Sequence, residues 1–113
     1  MVSRGEIWLA NLNPSKRDNE VAKIRPVLIF QNDDINHSEY PTTIIIPFST
    51  SLIDDAEPIR MRLQKRDDLK HDSDLIVTQI RAIDNNRLMR KLSSLSPKEM
   101  QKVNELFDEI AGK

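Results

Sequence analysis

Few side chains in this sequence are equipped for chemistry, and their types narrow what that chemistry is. Cysteine is absent, which excludes disulfides, thiolate nucleophiles and sulfur-ligated metals. The acidic pairs Asp33-Asp34, Asp54-Asp55 and Asp72-x-Asp74 lack the glycine and terminal glutamate of a calcium loop and read as solvated turns. His37 and His71 have no partner at ligand spacing, so no metal site is expected. No G-x-S-x-G elbow presents a serine, and the two glycines, Gly5 and Gly112, cannot form a phosphate-cradling loop. What is left is cations and hydroxyls. Arg25 stands immediately before Pro26, Ser49-Thr50 closes an apolar run, and Lys16, Arg17 and Lys23 punctuate a polar stretch. A guanidinium stays protonated at ordinary pH and grips an anionic oxygen pair with two parallel hydrogen bonds. A serine–threonine pair at a strand end, taken alone, is equally an ordinary turn.

The elements that must position these residues are mostly strands. Residues 5–12 alternate as a first strand, and 26–30 form a short continuous apolar run. The polar stretch between them ends at Arg25-Pro26, and residues 31–40 are dense in turn-forming Asn, Asp and Ser. Residues 42–48 (TTIIIPF) are the most β-prone, with Pro47 predicting an edge or a bulge. Residues 58–63 alternate, with Ile59, Met61 and Leu63 inward and Arg60 and Arg62 outward. Residues 74–83 are long enough for a central strand bent near Gln79, and 88–95 hold a last strand. One helix follows. Ser96 is its N-cap, Pro97 its first residue and Glu99 the partner in a capping box, with Leu95 and Met100 placed as a hydrophobic staple. Met100, Val103, Leu106, Phe107 and Ile110 share one face, and Gly112 offers a stop.

The 113 residues, 38% of them hydrophobic, suit a single domain over 1–113. No apolar run approaches the roughly 18 residues of a membrane span, and the first residues lack a signal-peptide core, so a soluble cytoplasmic protein is expected. A balance of 17 basic against 18 acidic residues argues against a non-specific nucleic-acid coat. The charges are unevenly spread. Residues 26–59 hold six acids and no Lys or Arg, whereas 1–25 hold five basic and three acidic residues and 60–91 hold nine and five. A fold that joins the two basic-rich segments would have one basic face and one acidic edge.

The segments RGEIWLANLNP (4–14), IRPVLIFQND (24–33), TTIIIPFST (42–50) and LIVTQIRAIDNNRL (75–88), followed by the capped helix, occur in a familiar order. Together they resemble the MazF/PemK family of toxin endoribonucleases over nearly the whole chain. The resemblance implies a mainly β fold with a C-terminal α-helix: an SH3-like barrel of antiparallel strands of the CcdB/PemK type. It also implies a homodimer, a cognate acidic antitoxin, and an mRNA interferase that cleaves single-stranded RNA without metal or cofactor. The products would carry 2′,3′-cyclic phosphate and 5′-hydroxyl ends.

Arg25 matches the family's functional arginine, and Ser49 stands where the family usually has a catalytic threonine, with Thr50 directly after it. Which of the two hydroxyls reaches the phosphate depends on one residue of register. Gln79 and Arg81 match the family's Q-[VI]-[RK] segment, but Thr78 occupies its usual acidic position. Glu20 matches a loop glutamate and would serve as the base, although Asp18-Asn19 replaces the Gly-Ser that normally precedes it. Lys16, Arg17 and Lys23 would meet RNA phosphates, and Trp8 or Tyr40 could stack a base, Trp8 being better suited to the core. Two alternatives remain: a same-fold toxin that binds a protein such as gyrase, and a non-catalytic SH3-like RNA-binding module. The gyrase-directed relatives act through a terminal Trp-Gly-Ile, where this sequence reads Ile-Ala-Gly-Lys.

Overall fold

A computed structural model describes residues 1–12 and 23–113. Seven strands occur in the order β1 (Glu6–Asn11), β2 (Ile24–Ile29), β3 (Thr42–Ser49), β4 (Arg60–Leu63), β5 (Ser73–Ile76), β6 (Arg81–Asp84) and β7 (Leu88–Ser94). A short helix, α1 (Asp33–Asn36), joins β2 to β3, and a longer one, α2 (Pro97–Ile110), follows β7. Every pairing is antiparallel, along the path β4-β5-β3-β2-β1-β7 with β6 added to β3. The path does not close by strand pairing among the described residues. Its ends nevertheless meet one core, which draws Met61 and Leu63 of β4, Leu92 of β7 and Val103 and Leu106 of α2 together with Ile7, Leu28 and Phe48. Asp68, after β4, donates its amide to the Leu92 carbonyl at 3.1 Å, tying the two ends. The sheet is thus curled around α2 and falls short of a closed barrel.

The helix forms as its sequence signals require. Ser96 Oγ accepts from the Glu99 amide at 3.1 Å and Glu99 Oε1 accepts from the Ser96 amide at 2.8 Å, completing the capping box. At the other end Gly112 has φ +86°, the left-handed conformation that glycine adopts without a Cβ clash. A second apolar cluster covers the opposite face of the sheet, with Ala10, Val27, Ile29, Ile45 and Ile83 buried and Trp8 packed against them.

Four sequence expectations change. Residues 74–83 are two strands separated by a 3-10 turn at Val77–Gln79. Residues 31–40 include α1, capped by Asn32, whose side chain accepts from the Asp34 amide at 2.8 Å. Ile59 precedes β4 and is exposed instead of facing inward. Pro47 lies in a central strand, buried and paired with Val27, and not at an edge. The reason is local. Phe30 donates to the Ile44 carbonyl at 3.0 Å, so alternate pairs of β2 and β3 exchange hydrogen bonds and Val27↔Pro47 is of the non-bonded type. The donor that proline lacks would point away from β2, where pairing with β6 stops at Ile45 and pairing with β5 starts at Phe48.

Candidate active site

The register that accommodates Pro47 also assembles the site. Val27 pairs with Pro47, and beyond that pair β2 runs back to Arg25 and β3 runs on to Ser49, each two residues along its strand and so on the face of Val27 and Pro47. A cavity of about 310 Å³ opens there, lined by Ile24, Arg25 and Pro26 from β2 and by Ser49, Thr50 and Ser51 from the end of β3. The Arg25 guanidinium has no hydrogen-bond or ion-pair partner among the described residues, which leaves its fork free for an anion. Ser49 Oγ accepts a hydrogen bond from the Ser51 amide at 3.1 Å, so its own proton is free to be donated outward. β3 ends at Ser49, and Thr50 leads into a turn.

The row continues across the sheet. Ser49 pairs with Asp74 of β5, and Asp74 pairs with Arg62 of β4. Asp74 is 1% exposed, and its carboxylate accepts from Arg62 Nε at 2.6 Å, Arg60 at 3.1 Å and the Ile53 amide at 2.9 Å. Burial pushes the Asp74 carboxyl up, but these hydrogen bonds outweigh it and hold the group below the usual carboxylate range. Hydrogen bonds to Asp74 and then Asp54 raise Arg62. Asp72-x-Asp74 is therefore not simply a solvated turn, because Asp74 is a buried, fully engaged anion.

The other expected site residues are spread around this centre. Glu20, Lys16 and Arg17 lie outside the described residues. Lys23 is exposed just before β2, its carbonyl accepting from the Leu12 amide at 2.8 Å. Gln79 and Arg81 are exposed and do not line the cavity. Arg81 pairs with Ile45, four residues from Ser49, which is on the order of 13 Å along β3 but on the same face. Trp8 is partly buried in the second apolar cluster and donates Nε1–H to Glu6 Oε1 at 3.0 Å. With Tyr40 it borders a different cavity beside Thr43, roughly 20 Å along β3 from Ser49.

Residues 3–111 match the family described as PemK-like, MazF-like toxin of type II toxin-antitoxin system. The chain belongs to that family. It is 40% identical over 110 residues to an endoribonuclease MazF of Staphylococcus saprophyticus, covering 96% of this chain and 89% of the relative. An endoribonuclease MazF of Staphylococcus epidermidis is 36% identical over the same shares. The fold matches an endoribonuclease in complex with its cognate antitoxin from a mycobacterial species, with a TM-score of 0.79 at 18% identity over 99% of this chain and 96% of that one.

In this MazF-like chain, sequence reasoning missed a second cavity. It measures about 390 Å³, shares Thr50 with the first, and is bordered by Lys65, Lys70, His71 and Asp72 of the β4–β5 connection. The segment's basic count was visible, but only the pairing of β5 with β3 brings it beside Thr50. His37 lies elsewhere, its ring 3.1 Å from Ser3 Oγ. Among the described residues no group of three or more His, Asp or Glu could hold a metal ion, and no helix is long and apolar enough to cross a membrane.

Proposed function

We propose that this chain is the toxin of a type II toxin–antitoxin pair and cleaves single-stranded RNA at the cavity between Arg25 and Ser49. The observation that carries the reading is that Arg25, with no partner among the described residues, and Ser49, whose hydroxyl proton is left free, line one open cavity between the ends of β2 and β3. Cleavage begins when a ribose 2′-oxygen attacks the adjacent phosphorus. The P–O2′ bond forms, the P–O5′ bond breaks, the 2′-proton passes to a base and a proton reaches the departing 5′-oxygen. The products are a 2′,3′-cyclic phosphate and a 5′-hydroxyl. Arg25 holds the non-bridging oxygens with its fork and stabilises the charge that builds on them, while Ser49 donates to a phosphoryl oxygen. Thr50 lines the same cavity from the other side of the turn. Glu20 is the proposed base, and His71, on the adjoining cavity, is its rival.

Lys65 and Lys70 would carry flanking phosphates, and Lys23 and Arg81, together with Lys16, Arg17 and Gln79, would guide the strand on either side. The toxin would work in the cytoplasm as a homodimer, and an acidic antitoxin segment would neutralise it by occupying the cationic track. Incubating a long RNA with the protein in EDTA and mapping cuts by primer extension tests the reading. Cuts within a short motif, with cyclic phosphate ends, are expected at undiminished rate. Loss of cleavage on chelation, restored by Mg²⁺ or Mn²⁺, would show that the chemistry is different.

A further inference from the structure

Ser49 is the last residue of β3, where a strand end would ordinarily fray. Here the turn after it is tied down by a chain of contacts that begins on the neighbouring strands. Asp74 Oδ2 accepts from the Ile53 amide at 2.9 Å and from Arg60 at 3.1 Å. The same Arg60 nitrogen donates to the Ser51 carbonyl at 2.9 Å, and the Ser51 amide donates to Ser49 Oγ at 3.1 Å. Asp74 Oδ1 is taken by Arg62 Nε at 2.6 Å, and Arg62 reaches Asp54 at 2.9 Å, so the carboxylate is held from both sides. The result is a continuous path from a buried carboxylate through Arg60 and Ser51 to the Ser49 hydroxyl. A salt bridge needed only to join β4 and β5 would not require Arg60 to reach the turn as well.

We propose that Asp74, acting through Arg60, is a positioning residue for RNA cleavage: it fixes the residue 49–53 turn so that the Ser49 hydroxyl is aimed at the phosphoryl group. Asp74 does not line the cleavage cavity and touches no substrate. Its effect belongs to the rate of the bound complex and not to RNA affinity, because a misaimed donor loses transition-state contact without removing the cations that hold the strand. The proposal rests on the assignment of cleavage to Arg25 and Ser49.

The test is a double-mutant cycle between Asp74→Asn and Ser49→Ala, read by single-turnover cleavage of a labelled oligoribonucleotide and by RNA affinity. Asp74→Asn is expected to slow cleavage at least about tenfold with affinity changed less than about twofold. In the Ser49→Ala background the same substitution should cost less than about twofold more, because the group it aims is gone. Arg60→Met, which removes the nitrogen that holds Ser51 and Asp74 together, should reproduce the slowing and guards against misfolding of the Asp74 variant. Asp33→Asn, which weakens the carboxylate contacts to the Arg4 amide and Asn36 beyond the far end of β3, should lower the melting temperature and leave cleavage unchanged. Effects of Asp74→Asn and Ser49→Ala that simply multiply, or a normal rate for Asp74→Asn, would overturn the positioning role. If Ser49→Ala itself cleaves like the parent, the cleavage assignment falls first.

Discussion

Arg25 and Ser49 reach one cavity through a pairing of β2 with β3 that neither residue determines. Their roles make separable predictions. Arg25→Ala should lower the cleavage rate by at least about 10²-fold, the scale of losing one preorganised transition-state donor. Arg25→Lys should recover little of it, since an ammonium cannot reproduce the two-pronged contact. Single-turnover rates decide this, and near-parental cleavage by Arg25→Lys would move the charge-stabilising role to another residue. For the hydroxyls, Ser49 and Thr50 both line the cavity, and Ser49, still within β3, is the proposed donor. Ser49→Ala should remove most cleavage, again on the scale of about 10²-fold, Ser49→Thr should retain it, and Thr50→Ala should be milder. The reverse order in the same assay would assign the role to Thr50. Arg25, Ser49 and Thr50 were singled out in the sequence through family resemblance, and the fold brings all three to one cavity. Asp74 was not legible. An aspartate between Ser73 and Leu75 reads as a strand entrance, and its burial arises only because Arg60, Arg62 and the Ile53 amide converge on it from β4 and the turn after β3.

The long helix and most strands were legible from local pattern, whereas α1 and the break within 74–83 were not. The long helix α2 declared itself by its cap and its apolar stripe, both local. The run 74–83 looked like one strand because its apolar character is nearly continuous, and the expected bend near Gln79 marks where it breaks. From Phe48 to Ile45 the opposing segment advances from Leu75 to Arg81, six residues against three, so Val77–Gln79 loop out. They do so opposite Pro47, whose missing N–H gives a straight strand nothing to pair with there. The connection between β4 and β5 is placed the same way. It carries Lys65 and Lys70 to Thr50, and Arg66 anchors it to the helix with bonds of 2.7 and 2.9 Å to Glu99. Replacing both lysines with alanine should weaken RNA binding several-fold, flatten its salt dependence by up to about two phosphate contacts and leave the saturated rate unchanged. Binding titrations at two salt concentrations measure this, and an unaltered salt slope would place the RNA on another surface.

Across the whole molecule the charge pattern departs from the expected basic face and acidic edge. The acids of residues 26–59 fall at both ends of β3 and not along one edge, and several are engaged. Asp33 accepts from the Arg4 amide at 2.7 Å, Asp54 pairs with Arg62 at 2.9 Å, and Glu57 with Lys102 at 2.6 Å. Among the described residues, four carboxylates are held below their ordinary pKa in the folded chain. For Glu6 and Asp74 burial pushes upward, but hydrogen bonds outweigh it, from Trp8, Ser3 and Lys91 in one case and from Arg62, Ile53 and Arg60 in the other. For Glu99 the hydrogen bonds from Arg66 dominate, and for Asp33 those from Asn36 and the Arg4 amide. A carboxylate depressed in the folded state binds fewer protons there than in the unfolded chain, so its contribution is complete above the unfolded value of about 4 and disappears as pH falls through the folded value. Stability should therefore be level from neutrality to about pH 5 and decline steeply below about pH 4. Asp74→Asn should be less stable than the parent at pH 7 yet lose less on acidification, because one of the four protonations no longer opposes folding. Urea midpoints at pH 7, 5 and 3 for both proteins provide the measurement. A parent as stable at pH 3 as at pH 7 would mean that these ion pairs persist in the unfolded chain or contribute nothing to the fold.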